Sequence, residues 1–98
     1  MNLYGIYDKK MCKFIFTLLG ENDEVCKRNV VALLQDGHNN FAMFPQDYNV
    51  HFLAEINMDT GFVKGLKHYL AFEIWSLFKR NEEELKESDE PDGVQDSV

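Results

Sequence analysis

Little in this 98-residue chain would mark an enzyme or a metalloprotein. It has two cysteines and three histidines, and His38, His51 and His68 stand far apart in sequence. Neither the short regular ligand spacing of a zinc site nor a local Cys-His motif is present. Its six glycines are scattered, which excludes a glycine-rich phosphate loop. Asp47 and Asp59 belong to turn segments that account for them. The expectation is a non-enzymatic protein with no catalytic residue, no metal and no cofactor. No stretch approaches the ~18 consecutive apolar residues of a membrane-spanning helix. The first residues also lack a charged start, a long apolar run and a small-residue cleavage site. Cys12 and Cys26 are therefore expected as free thiols in an intracellular, reduced setting.

Positive charge is scarce too, but its distribution changes what that scarcity means. The net charge is -7. Residues 1–80 hold nine acids and nine bases, whereas residues 81–98 hold eight acids and Lys86, so the whole excess lies in the last segment. An electrically neutral body with an acidic end does not exclude a polyanionic partner. Binding such a partner depends on Lys and Arg displacing counterions, which here requires the two signs to segregate onto different faces.

What is abundant is apolar and aromatic: 45% of residues are hydrophobic and 13% aromatic, enough for one small core. Leu3 to Asp8 and Cys12 to Leu19 flank the polar pair Lys9-Lys10 and read as a β-hairpin. Asn22 offers a cap to a helix over about 23–36. Asp23 and Glu24 lie at its positive end, and Cys26, Val30, Leu33 and Leu34 fall on one stripe. Gly37 suits its left-handed end. Residues 37–48 read as a loop. Val50, Phe52, Ala54, Ile56 and Met58 then alternate with more polar residues, as in a half-buried antiparallel strand. Asp59-Thr60-Gly61 turns it into a return strand from Phe62. The apolar run after Gly65 reads as an amphipathic helix over about 66–87, with an apolar arc wider than one sheet can cover. Residues 88–98, rich in Asp, Glu, Pro and Gly, read as a disordered acidic tail. The predicted fold class is α+β. Two β-hairpins form one antiparallel sheet with a helix between them (ββαββ), and a C-terminal helix completes a single domain over 1–87.

Two surfaces follow. Lys9, Lys10 and Lys13 surround the first turn, Lys27 and Arg28 sit early on the helix, and Tyr4, Tyr7, Phe14 and Phe16 are interleaved on adjacent strands. Rings shown to solvent beside cations can stack unpaired bases. The same rings facing the helix would instead be core, and both readings stay open. The second surface is Phe72, Trp75 and Phe78, which offers a docking face for a replication partner or for a second copy of the chain. Cys26 falls on the apolar helix stripe and reads as core.

Three blocks in fixed order also carry a likeness: Tyr4-Gly5-Ile6-Tyr7-Asp8, then Asn22-Asp23 with Cys26 and Arg28, then Pro45-x-Asp47-Tyr48 leading to Asp59-Thr60-Gly61. Together they resemble the nonstructural protein of gokushovirus-type microviruses, small single-stranded DNA bacteriophages. The similarity spans roughly residues 1–64, with Cys26 where that family commonly has alanine. The resemblance implies a non-enzymatic accessory protein in the host bacterial cytoplasm, left out of the virion. It also implies single-stranded DNA binding or assistance to viral DNA synthesis.

Overall fold

In the computed structural model, which describes residues 1–78, the first two apolar segments pair as a hairpin. β1 (Asn2–Asp8) leads into the lysine turn and β2 (Lys13–Gly20) returns, from Asn2 opposite Gly20 to Asp8 opposite Lys13. Asp8 organises the turn. Its Oδ1 accepts from the backbone N–H groups of Lys10 and Met11 at 2.8 and 3.1 Å, and its carbonyl accepts from the N–H of Cys12 at 2.7 Å. Cys12 takes a φ of 57°, a left-handed conformation uncommon outside glycine, and the strand restarts after it.

The helix that follows, α1 (Asp23–Leu34), begins where local chemistry places it: the side chain of Asn22 accepts from the N–H of Val25 at 2.9 Å. It ends slightly earlier than expected, at the C-cap Gln35, and Gly37 has a φ of 74°. Cys26 and Val30 point into the core and are fully buried. Gly20 permits the close approach of α1 to the end of β2, since a Cβ there would sit 3.2 Å from both Cβ and the backbone nitrogen of Cys26.

The segment read as a loop contains two short helical turns, α2 (Asn40–Met43), capped by Asn39, and a 3-10 turn at Pro45–Asp47. Each is too short to show a period in sequence. Phe41 of α2 packs edge-to-face on Tyr48 at 5.0 Å.

β3 (Tyr48–Ile56) buries Tyr48, Val50, Phe52 and Ala54, the alternation its sequence shows. Asn57 shapes the next turn by accepting from the N–H groups of Asp59 and Thr60, and Gly61 takes a φ of 79°. The return strand β4 (Val63–Glu73) is much longer than expected. The helix predicted from residue 66 is corrected here: residues 66–73 are strand, and helical residues begin at 74. A near-continuous apolar run fits either period, and long-range pairing decides it. Tyr69 and Phe72 pair with Phe52 and Val50 of β3, and Ala54 pairs with Gly65 across an irregularity that absorbs the extra residues. The predicted helix beyond 78 and the acidic tail lie outside the described residues.

The strands order as β2-β1-β3-β4 with every neighbouring pair antiparallel. The two predicted hairpins are thus joined edge to edge through β1 and β3. The core fills one side of this sheet: Tyr4, Ile6, Val50, Phe52 and Phe72 meet Cys26 and Val30 of α1, together with Ile74 and Leu77.

Burial holds two of these groups in their neutral forms. The thiol of Cys26 is pushed up to about 12 by burial, with the charge of Asp23 adding to it. The phenol of Tyr4 is raised by burial and then by its hydrogen bond to Asp23. Both shifts are upward, so the folded chain keeps protons that the unfolded chain releases at about pH 8.5 and 10. This stability is fully present below those values and declines as pH rises through them. Urea unfolding is expected to show a lower midpoint at about pH 10.5 than at about pH 8, with a smaller loss in Cys26→Ala. Equal midpoints would contradict this.

Candidate nucleic-acid interface

Strand alternation divides the residues of β1 between two faces. Tyr4 and Ile6 lie beneath α1 and are fully buried, while Tyr7 projects from the opposite face. Register brings Phe14 of β2 opposite Tyr7, and His51 of β3 opposite Gly5. The three rings touch one another edge-to-face: Tyr7 to Phe14 at 5.1 Å, Tyr7 to His51 at 5.9 Å and Phe14 to His51 at 5.5 Å. They form a closed triangle drawn from three adjacent strands. Phe14 remains 41% exposed, and Leu70 of β4, opposite His51, is 48% exposed.

Gly5 is what lets this surface lie flat. A Cβ at this position would sit 2.8 Å from Cδ1 of Phe14 and 2.8 Å from Cδ1 of Leu53, so the Phe14 ring and Leu53 cover a bare stretch of backbone. Gly5→Ala would lift both side chains. Overpacking of this kind costs about 1–3 kcal/mol, and the substitution is expected to lower the thermal midpoint and expose Phe14 further. A variant as stable as the parent, with the Tyr7–Phe14 contact intact by NMR, would remove this role for Gly5.

The lysine turn borders the triangle. Lys9 and Lys10 lie in the turn that follows β1, two and three residues after Tyr7, and Lys13 opens β2 opposite Asp8, one residue before Phe14. Lys9, Lys10 and Lys13 are all exposed, and among the described residues no carboxylate forms an ion pair with them; the ion pair found there is Lys27 with Glu24, at 3.3 Å.

The predicted site residues therefore divide. Lys9, Lys10 and Lys13 share the hairpin turn next to Tyr7 and Phe14, but Lys13, paired with the buried Asp8, alternates to the α1 side of the sheet, whereas Tyr7 lies on the opposite face. Lys27 and Arg28 belong to α1 on the other side, where Lys27 also lies over the Phe72 ring at 5.8 Å. Tyr4 is a core residue: its hydroxyl donates to Oδ1 of Asp23 at 2.6 Å and accepts from the amide of Asn2 at 3.2 Å. Tyr69 of β4 donates to the same carboxylate at 3.1 Å, so one acid on α1 is held from two strands. His51 was not evident as a site residue in the sequence. Its signal is its phase: it occupies an odd-numbered position of β3, out of step with the buried residues Val50 and Phe52.

The candidate partner face divides similarly. Phe72 is buried at 7% exposure. Trp75 and Phe78 are half-buried and stack on each other at 6.1 Å. Among the described residues no cluster of three metal-ligating side chains occurs, and no helix is long and apolar enough to cross a membrane.

A family model described as Phage ORF5 protein matches residues 1–74, which takes in all four strands and α1. No curated protein and no solved structure matches the chain.

Proposed function

The chain belongs to the Phage ORF5 protein family, and from that premise we propose that it is a non-enzymatic phage accessory protein that binds single-stranded DNA. In this reading it acts in the host bacterial cytoplasm, holding unpaired viral DNA during its synthesis. The observation that supports it best is the contact of Tyr7, Phe14 and His51 on one sheet face, next to the exposed hairpin turn that carries Lys9, Lys10 and Lys13. Rings give sequence-tolerant stacking to bases splayed out of a single strand, and the lysines track the phosphates that link them. Three cations make a weak site. Lys27 and Arg28 stand on the other side of the sheet, and the eight acids of residues 81–98 compete with DNA for the lysines.

Three phosphate contacts predict a slope of about -2 in log affinity against log salt, because each contact on a single strand contributes about -0.7. Replacing the eight acids after residue 80 by their amides is expected to raise affinity for oligothymidylate at low salt. If the amide variant binds no oligonucleotide at low salt, the reading fails.

A further inference from the structure

His51 stands on the central strand β3, between Gly5 of β1 and Leu70 of β4 in register. From β1 it meets Gly5 and the Tyr7 ring, and from β2 the Phe14 ring. From β4 come Leu70 and the charge of His68, and along its own strand it is flanked by Asn49 and Leu53. Among the described residues His68 is the one charged group that acts on it, and no carboxylate does. Burial, and then His68, hold the imidazole below its ordinary value. Both favour the neutral imidazole.

A bound phosphate changes that balance. It brings the negative partner that this face otherwise lacks. The rings of Tyr7 and Phe14 lie edge-to-face with the imidazole at 5.9 and 5.5 Å between centroids, close enough for a small rotation to set a ring face against a cation. DNA on the face thus favours the protonated imidazole, and by reciprocity protons favour bound DNA.

We propose that His51 is the pH-responsive element of the DNA face, so that single-stranded DNA is held more tightly as the solution is acidified from pH 8 toward pH 5.5. This deepens the DNA-binding reading and rests on it. The test is the anisotropy of a rhodamine-labelled oligothymidylate with the full chain, at constant ionic strength, at about pH 8 and about pH 5.5, either side of the ordinary histidine value. Affinity is expected to be several-fold higher at the lower pH, approaching the roughly tenfold limit that a one-unit rise in the titration midpoint on binding allows. His51→Phe keeps a ring, and the ratio of its own affinities at the two pH values is expected to lose most of the gain. A parent with equal affinity at both pH values, or His51→Phe retaining the whole gain, overturns the proposal. A second readout needs no variant: in the parent, the NMR titration midpoint of His51 should rise when oligothymidylate is added, and an unmoved midpoint overturns the proposal as well. Binding that is present but independent of pH defeats this inference alone, whereas no binding at either pH defeats the DNA reading and this inference with it.

Discussion

Replacing Tyr7 and Phe14 together by alanine is expected to lower affinity for oligothymidylate at least about thirtyfold, since each base stacked on a ring contributes about 1–3 kcal/mol and about 1.36 kcal/mol is a factor of ten. The same variant should stay folded. Phe14 is already 41% exposed and Tyr7 only half-buried, so the loss on folding is the edge-to-face contacts, about 0.5–1.5 kcal/mol per pair, plus the part of each ring that is covered, and is smaller than that of a fully buried aromatic residue. Tyr7→Phe separates stacking from hydrogen bonding and should bind as the parent does. Replacing Lys9, Lys10 and Lys13 by alanine should instead flatten the salt dependence, because those side chains act through phosphate charge. A ring-less variant that binds as tightly as the parent, with the same salt slope, would place the DNA elsewhere.

Tyr4→Ala is expected to have the opposite signature, a large loss of stability with no specific effect on binding. Tyr4 is fully buried, packs edge-to-face on Phe52 at 5.9 Å and donates to Asp23 at 2.6 Å. Truncating a large buried aromatic side chain costs about 3–5 kcal/mol, a substantial part of the 5–15 kcal/mol that holds a typical domain together. Tyr4→Phe removes only the hydroxyl. Tyr69 still donates to the Asp23 carboxylate in that variant, and a hydrogen bond to a charged group is worth about 1.5–3 kcal/mol. Urea unfolding should therefore rank the parent above Tyr4→Phe and Tyr4→Phe above Tyr4→Ala. If Tyr4→Ala unfolds at the same urea concentration as the parent, the helix-to-sheet anchor described here is wrong.

The contrast between Tyr4 and Tyr7 shows where sequence reading reached and where it stopped. The first hairpin, the Asn22 cap and the alternation of β3 are written in neighbouring residues, and each stands as expected. The two faces of β1 are equally visible as a period of two. Which face is core depends on where α1 packs, and that is fixed by contacts between residues distant in sequence, such as Tyr4 with Asp23. β4 failed for a related reason. Its apolar residues satisfy both helical and strand periods, and only pairing with β3, across irregularities that no local pattern announces, selects the strand. His51 was hidden because a lone histidine has no motif. It gains meaning from the register that sets it against Gly5 and from the Phe14 ring reaching it from β2.

Photocrosslinking with a 5-iododeoxyuridine oligonucleotide, followed by mass spectrometric mapping of the adducts, tests the face directly, because crosslinks form only with side chains in contact with the base. Adducts are expected on Tyr7, Phe14 or His51. Adducts concentrated on Trp75 or Tyr69, or none at low salt, would contradict a nucleic-acid site on the sheet face opposite α1.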